Sequence, residues 1–220
     1  MAELVLVRHG QASFGAEDYD RLSALGWRQS RWLGEYFRER GAAFDLCVRG
    51  SLRRHAETLA GIGEGMGRVL AGEEDARLNE YDSHSLLHAH LKGGPLPQGG
   101  DRREHFRILR EAMYAWTDGT LDGAAHEPFA AFRARVLEAL AALRAGRAQR
   151  VLVVSSGGPI ATILTEVLRM PARGVVDLNL QTRNTGISEL QTGASRIHFV
   201  SFNNVPHLDR PDRQGSLTYS

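Results

Sequence analysis

Glu3-Leu-Val-Leu-Val7, followed directly by Arg8-His9-Gly10, is the stretch of sequence that decides the fold. The short apolar run is typical of a buried strand, and it ends in a guanidinium, an imidazole and a glycine. In open α/β sheets the ligand crevice lies at the carboxyl ends of the strands. A histidine beside a fixed cation, with a glycine that lets an oxyanion approach the backbone, suits nucleophilic attack on phosphorus.

Length and composition narrow the class of protein. The chain has 220 residues, a length at which one domain with one hydrophobic core is expected. Its formal net charge is +1, and the basic residues are spread along the chain, which argues against a nucleic-acid partner. Cys47 is the only cysteine, so no internal disulfide forms. No signal-like or membrane-spanning apolar stretch occurs, so we expect a cytoplasmic protein without a membrane partner.

Apolar periodicity alternates between strand and helix along the chain. Short apolar runs predict strands at 3–7, 45–48, 150–154, 186–191 and 196–202, with a weaker one near 69–70. Apolar positions three and four apart predict helices at 23–41, from 52 to the glycine-rich segment 61–67, and at 106–116, 129–143 and 160–168. The alternation predicts a three-layer α/β/α fold with a mainly parallel sheet and a closing hairpin.

Two further segments place polar groups where a predicted strand passes into a helix. Ser51-Leu-Arg-Arg54 offers first-turn amides and arginines that suit a phosphate, although a solvated basic helix start has the same pattern. Val153-Val-Ser-Ser156-Gly157-Gly158 runs from a buried strand into glycines and a helix, which is typical of an anion site. The alternative there is a plain strand-to-helix turn.

Taken in order, these blocks resemble the histidine phosphatase superfamily, whose members have a phosphoglycerate mutase-like fold. Arg8-His-Gly10 matches the family signature, and Leu52-Arg-Arg-His-Ala-Glu-Thr58 is similar to its Leu-x-Arg-Ala-x-Gln-Thr block. Leu78-Asn-Glu80 matches the site of the family's acid. Further matching blocks begin at Leu22, Glu127, Asn184 and Phe202. The resemblance implies a single domain over residues 1–220, with a lid-like insertion at about 83–127.

The resemblance implies a metal-independent phosphomonoester hydrolase. His9 would accept the phosphoryl group through one ring nitrogen, while a hydrogen bond to the other nitrogen fixes the tautomer. Arg8 and Arg54 would hold the non-bridging oxygens, and Glu80 would protonate the leaving alcohol and then activate water. Guanidinium groups replace a metal, so neither a metal nor a cofactor is expected. The expected partner is a small phosphorylated substrate, and the chain is expected to be a monomer or a homodimer.

Ser156 is the most consequential departure from the family pattern. The family usually carries a histidine here, in a Ser-His-Gly turn, as the second imidazole that contacts the phosphate. A serine hydroxyl can donate a hydrogen bond to phosphate, so Ser156, Gly157 and Gln11 join Arg8 and Arg54 in the predicted phosphate-binding set. A serine cannot carry positive charge, and the loss of one preorganised donor typically costs about 10²–10³ in rate.

Three outcomes follow from this departure. In the first, Ser156 together with Arg8 and Arg54 is enough to stabilise the phosphoryl group. We favour this outcome because the rest of the predicted site is complete. Alternatively, a histidine from the segment after Glu80 fills the place; the candidates are His84, His88 and His90. In the third case the chain is a phospho-ligand-binding or regulatory module with negligible turnover.

Within the family, hydrolysis competes with cofactor-dependent phosphoglycerate mutase-type phosphotransfer. Mutases resemble Arg-His-Gly-Glu-Ser-x-Trp-Asn after the first strand, whereas this chain has Arg8-His-Gly-Gln-Ala-Ser-Phe-Gly15. The tail after Leu208 has no lysine to close over the site, although Arg210 and Arg213 keep the question open. Hydrolysis is the favoured interpretation.

The segment between Glu80 and Phe129 is expected to arch over the pocket and set the substrate specificity. Its cations favour a substrate with an anionic body, and these are Lys92, Arg102 and Arg103. Its apolar residues favour a substrate with an apolar body, and these are Tyr81, Leu86, Leu87 and Phe106. Both interpretations stay open. The three histidines of this segment are interpreted as exposed lid residues rather than as a metal site.

Overall fold

A mixed six-stranded sheet forms the middle of the molecule. The computed structural model describes residues 2–13, 20–95, 102–193 and 196–219. In chain order the strands are β1 (Ala2–Arg8), β2 (Leu46–Arg49), β3 (Gly72–Glu74), β4 (Arg150–Ser155), β5 (Ile187–Thr192) and β6 (Ile197–Asn204). They are arranged β3-β2-β4-β1-β5-β6, and among these six β5 alone runs against its neighbours. The mainly parallel sheet with a closing hairpin is confirmed.

Helices cover both faces of the sheet. Those in the described residues are α1 (Ala24–Glu39), α2 (Arg53–Met66), α3 (Ser83–His90), α4 (Arg102–Thr117), α5 (Phe129–Ala145), α6 (Gly157–Val167) and α7 (Gly174–Gln181). Ser23 caps α1 as predicted, because its hydroxyl accepts a hydrogen bond from the Gly26 N–H at 3.0 Å.

The side chains of β1 alternate between two hydrophobic clusters. Val5 and Val7 pack with residues of α1 and α2. Leu4 and Leu6 pack with residues of α3 to α7, and the fully buried members of that cluster include Trp116, Phe132, Met113 and Ile160. Because successive strand residues face opposite sides of a sheet, one strand links the two helical layers. The predicted three-layer architecture is confirmed.

α2 continues through the glycine-rich segment where the sequence predicted its end. It stops at Gly67, whose φ of 73° is left-handed. Glycines on both helices let the backbones of α1 and α2 approach each other. A Cβ on Gly65 of α2 would lie 2.0 Å from the Arg31 carbonyl oxygen, and a Cβ on Gly34 of α1 would lie 2.1 Å from the Ile62 carbonyl oxygen. Glycine weakens an isolated helix by about 1 kcal/mol relative to alanine, so the packing that reverses this preference is visible only in three dimensions.

Three other elements differ from the prediction. The third strand forms at Gly72–Glu74 instead of near Val69, which is 96% exposed. Pairing with β2 places it there, with Gly72 opposite Cys47. The short helices α3 and α7 were not predicted, because each has only eight residues, fewer than an apolar repeat needs to show its period. The glycine- and proline-rich run at 93–100 predicts a mobile loop, and it lies largely outside the described residues.

The strand register brings distant parts of the chain to one edge of the sheet. β1 and β4 end together, with Arg8 opposite Ser155, and β2 ends beside them. The His9 N–H donates to the Ser155 carbonyl oxygen at 2.9 Å. The segments that follow these strands, beginning at His9, Gly50 and Ser156, therefore meet at the carboxyl edge of the sheet.

Candidate active site

His9 lies at the centre of this edge and is almost fully buried. Its Nδ1 is 2.7 Å from the Gly10 carbonyl oxygen. A carbonyl oxygen only accepts, so Nδ1 carries the proton and Nε2 keeps its lone pair. Burial, followed by the positive charges of Arg54 and Arg8, holds the pKa of His9 well below its ordinary value. A neutral imidazole with a free Nε2 lone pair is a competent nucleophile.

The backbone of His9 is held from behind by the start of β5. The Asn184 side-chain amide donates to the His9 carbonyl oxygen at 3.1 Å. The Thr185 hydroxyl donates to the Asn184 carbonyl oxygen, so it accepts from Nε2 of His207, 2.8 Å away. Burial, with help from the charge of Arg213, lowers the pKa of His207 to about 3. His207 is therefore a neutral support behind the nucleophile.

Two buried arginines accompany His9. Arg8 donates to the Thr182 carbonyl oxygen, and Arg54 donates to a carboxylate oxygen of Asp20 at 2.6 Å. The other Asp20 oxygen accepts from the Arg53 N–H at 2.8 Å and so caps α2. The sequence did not single out Asp20, which offsets part of the charge that Arg54 offers to a phosphate.

Glu80 lies against the N-terminus of α6. Its two carboxylate oxygens are 3.1 and 3.2 Å from the Gly158 nitrogen. A Cβ at Gly158 would lie 2.1 Å from Oε1 of Glu80, so only glycine leaves room for the carboxylate. Burial raises the pKa of Glu80 above its ordinary value, although the Gly158 N–H, Arg54 and Arg8 oppose the change. A carboxyl group that keeps its proton more readily is suited to act as a general acid.

Each of the two glycines after Ser156 lies against a side chain of another element. The Gly158 amide, expected to face a phosphate, donates to Glu80 instead. Gly157 packs against α7, where a Cβ would lie 2.2 Å from Oδ1 of Asn179. Both positions need glycine because a side chain of another element occupies the space.

Arg135 of α5 holds the loop that carries Glu80. One guanidinium nitrogen donates to the carbonyl oxygens of Arg77 and Asn79, each at 2.8 Å. The other nitrogens bind Glu127 at 2.7 and 2.9 Å. Glu127 and Arg135 belong to a block of the family resemblance, but the sequence did not show that their role is to position the acid.

Gln11 is hydrogen-bonded to Ser23 and to Gln29 of α1. Its Oε1 accepts from the Ser23 hydroxyl at 2.8 Å, and its backbone N–H donates to Oε1 of Gln29 at 2.9 Å. Gln11 also lines a groove of about 390 Å³, whose other lining residues are Phe106, Arg110, Leu180, Leu217, Thr218 and Tyr219. Gln11, two residues after His9 in the sequence, is the member of this lining that lies nearest to the nucleophile along the chain.

Ser156 is fully buried at the start of α6, and an imidazole lies beside its hydroxyl. The imidazole belongs to His55 of α2, whose Nε2 is 2.7 Å from Oγ of Ser156. The rings of His55 and His9 have their centres 5.7 Å apart. The three histidines considered from the sequence lie on α3 instead, and they are His84, His88 and His90.

The sequence carries a signal for His55. In the family's Leu-x-Arg-Ala-x-Gln-Thr block an alanine follows the arginine, whereas here His55 follows Arg54. The chain therefore departs from the family both at 55 and at 156. The two departures are 101 residues apart in sequence and in hydrogen-bond contact in the structure.

Two further features were sought among the described residues, a metal-binding cluster and a membrane-spanning helix. Among them, no three His, Cys, Asp or Glu side chains gather as they would around a metal ion. Within the same residues, no helix has the length and apolar character needed to cross a membrane.

Comparisons with known proteins agree with this geometry. The sequence profile of the histidine phosphatase superfamily (branch 1) matches residues 4–205. No curated protein sequence matches the chain significantly. A solved mycobacterial glucosyl-3-phosphoglycerate phosphatase is 25% identical, with 92% of this chain and 99% of that chain covered and a TM-score of 0.65.

Two more distant structures share the fold. A phosphoserine phosphatase variant from Entamoeba histolytica is 18% identical, with 94% of this chain and 100% of that chain covered and a TM-score of 0.59. Bacillus stearothermophilus YhfR is also 18% identical, with 95% of this chain and 100% of that chain covered and a TM-score of 0.70. The chain belongs to the histidine phosphatase superfamily. The phosphatase class of enzyme predicted from the sequence agrees with these neighbours.

Proposed function

We propose that the protein is a metal-independent phosphomonoester hydrolase that works through a phosphohistidine on Nε2 of His9. The observation that carries the proposal is the meeting of a neutral imidazole, two guanidinium groups and a carboxyl group of raised pKa at one sheet edge. Arg8 and Arg54 influence the pKa of both His9 and Glu80, so all four groups share one small volume. Separate roles for nucleophile, cations and acid are what phosphoryl transfer requires.

The reaction has two steps. In the first, Nε2 of His9 attacks phosphorus, the ester P–O bond breaks, and Glu80 gives its proton to the leaving alcohol. In the second, the Glu80 carboxylate takes a proton from water, the oxygen of that water attacks phosphorus, and the P–N bond breaks. Inorganic phosphate and neutral His9 result. Arg8 and Arg54 stabilise the non-bridging oxygens in both steps.

The groove beside Gln11 supports a small phosphorylated substrate with an organic body. Phe106 and Leu180 give the groove apolar surface, and Arg110 adds a cation. Three residues that the sequence offered as apolar substrate contacts are buried in the core instead, and they are Tyr81, Leu86 and Leu87. Two of the neighbours described above are named as phosphatases of phosphoserine and of glucosyl-3-phosphoglycerate. Both of these compounds are small and phosphorylated.

The position of the C-terminal cations favours hydrolysis over mutase-type transfer. Arg213 donates to the His207 carbonyl oxygen and to Glu35 of α1, at 2.6 and 2.9 Å. Arg210 lies 3.7 Å from Glu39 of the same helix. Both guanidinium groups are therefore engaged with α1 and its surroundings. These contacts support hydrolysis, because they occupy the cations that a mutase would need for a second phosphate.

The test is hydrolysis of p-nitrophenyl phosphate in the presence of a chelator, with acid-stable and acid-labile phosphoenzyme measured after rapid quenching. We expect chelator-resistant turnover and an acid-labile phosphoenzyme, both lost in His9→Ala by at least about 10⁴-fold in rate, because a nucleophile cannot be replaced by its surroundings. His84→Ala, on the exposed part of α3, is the matched control and should behave as the native protein.

Three results would contradict the proposal. Turnover that persists in His9→Ala would exclude His9 as the nucleophile. Orthovanadate binding without turnover of any of several aryl and alkyl phosphates would favour the phospho-ligand-binding module. A phosphoenzyme that transfers to phosphoglycerates faster than to water would favour the mutase.

A further inference from the structure

The contact between His55 and Ser156 is built into the fold from both sides. Both residues are fully buried, and Nε2 of His55 lies 2.7 Å from Oγ of Ser156. On its other side the His55 ring lies against Gly50, where a Cβ would be 2.2 Å from Nδ1. A glycine at the end of β2 therefore makes the space in which the ring sits. The imidazole has one position, and that position is next to Ser156.

The geometry also indicates which atom carries the hydrogen. Nδ1 of His55 makes no hydrogen bond of normal geometry among the described residues, although the Gly50 backbone beside it raises the pKa of the ring. With the proton on Nε2, no buried N–H is left without an acceptor, and such groups are costly. Burial, followed by the charges of Arg54 and Arg49, holds the pKa of His55 well below its ordinary value, so the ring has a single N–H at neutral pH.

We propose that His55 and Ser156 together take the role of the histidine that the family carries at position 156. In this assignment the Ser156 hydroxyl donates to a non-bridging oxygen of the phosphoryl group on His9. His55 is its positioning residue: Nε2–H donates to Oγ of Ser156 and so directs the hydroxyl hydrogen away from His55. The inference rests on the proposed function, since it names a further phosphoryl contact of the same site.

The physical gain comes from preorganisation. A serine hydroxyl rotates about its C–O bond, and an unrestrained rotor must be oriented when the oxyanion forms. A donor that is already aimed at the developing charge in a water-excluded site does not have to reorganise. The ring of His55 restrains this rotor, and it lies beside the ring of His9, with 5.7 Å between the ring centres.

The test compares four variants for kcat and KM on p-nitrophenyl phosphate: His55→Ala, Ser156→Ala, His55→Gln, and the double variant His55→Ala/Ser156→His. The two alanine variants should each lose about 10²–10³ in kcat, the typical cost of one oxyanion donor. His55→Gln should recover part of the loss because its side-chain N–H can reach Oγ. The double variant restores the family arrangement and should come within about tenfold of the native rate.

A role in packing alone predicts different results. If His55 only fills space, Gln and Ala should lower the thermal midpoint without a matching change in kcat, and Ser156→Ala should have little effect. Near-ultraviolet circular dichroism and thermal unfolding check the fold of each variant. A His55→Ala variant with native kcat/KM, or a folded double variant no faster than His55→Ala, would overturn the inference.

Binding of orthovanadate, followed by calorimetry, separates this inference from the proposed function. The measurement needs no turnover, so it gives an answer even if the protein hydrolyses none of the substrates tried. We expect vanadate to bind at least about tenfold more weakly to His55→Ala and Ser156→Ala than to the native protein. A change of less than twofold in both variants would contradict the inference. Persistent turnover in His9→Ala, by contrast, would contradict only the proposed function.

Discussion

The two sides of the pocket are built in different ways. The nucleophile side consists of Arg8, His9 and Gly10, three consecutive residues at the end of β1. The acid side consists of His55, Glu80, Ser156 and Gly158, which come from α2, a loop and the start of α6. On the nucleophile side one strand sets the geometry. On the acid side three separate segments must be packed correctly before any of the groups is in place.

The difference shows where this chain could depart from its family. The nucleophile side keeps the family signature, because a change there would move the reacting nitrogen itself. On the acid side the imidazole has left position 156 and comes from position 55, 101 residues away. A developing oxyanion responds to a donor at a place in space, so the element that supplies the donor can change.

The single variant Ser156→His sharpens the comparison most. In a family member with alanine at position 55 such a histidine would be native, but here Nε2 of His55 already lies 2.7 Å from Oγ of Ser156. A second ring has no space, so we expect a loss of about 10²-fold or more in kcat, as for other misplacements of about 1 Å in an active site. An increase in kcat would show that the native serine limits the rate and that the acid side is not preassembled.

Glu80→Gln tests the acid side through the leaving group. The variant cannot donate or accept the proton, so kcat for an alkyl phosphate should fall by about 10²–10⁴. The loss should be smaller in the first step for p-nitrophenyl phosphate, whose leaving group needs no proton. Glu73→Gln, exposed on β3, is the control. Equal losses in phosphoenzyme formation for both substrates would mean that Glu80 is not the general acid.

Gly158→Ala tests whether the position of Glu80 depends on α6. The added methyl would lie 2.1 Å from Oε1 of Glu80 and must displace the carboxylate. A loss of about 10–10² in kcat is expected from such a shift. Gly146→Ala at the end of α5, where the nearest atom would be 3.4 Å away, should leave kcat unchanged. A native rate in Gly158→Ala would show that the acid works from another position.

His207 supports the nucleophile side and makes the stability of the fold depend on pH. Its pKa is about 3 in the folded protein and about 6.5 in an unfolded chain. Between these values the unfolded chain binds a proton that the folded protein does not. The free energy of unfolding therefore falls as the pH falls below about 6.5, by about 1.4 kcal/mol per pH unit for this group. His9 and His55, with pKa values that are also lowered, change stability in the same direction.

Urea unfolding at pH 7.5, 5.5 and 4.5 measures this effect. In His207→Gln the side-chain amide still reaches the Thr185 hydroxyl, but it does not titrate. The decrease in stability between pH 5.5 and 4.5 should be smaller than in the native protein by about 1.4 kcal/mol. An unchanged slope would mean that His207 is protonated in the folded state.

Asp20→Asn should produce the smallest effect. Asparagine can still cap α2, but it no longer offers a charge to Arg54, which Asp20 now binds at 2.6 Å. The Asp20 side chain is 36% exposed, and partly exposed ion pairs contribute little, so we expect a decrease in KM of about two- to fivefold. A higher KM would show instead that Asp20 holds Arg54 in position for the phosphate.

Local patterns predicted the parts of the fold that are themselves local. β1, β4 and α5 were found because each carries its apolar period over a continuous stretch. The glycines of α2 are typical of a helix end, and their packing against α1 depends on a segment some thirty residues earlier. α3 and α7 are too short to show a period, and the strand near Val69 was misplaced because pairing with β2 selects Gly72–Glu74.

The sequence by itself determined the family, the three-layer architecture and the residues that carry the proposed nucleophile, cations and acid. These follow from short motifs whose chemistry depends on residues close together in the chain. Only the tertiary structure decided that Glu80 rests on the Gly158 amide and that Arg54 shares its charge with Asp20. The same is true of the imidazole of His55 beside Ser156. The physical reason is that a hydrogen bond depends on distance in space, and packing of the sheet and helices brings these segments together.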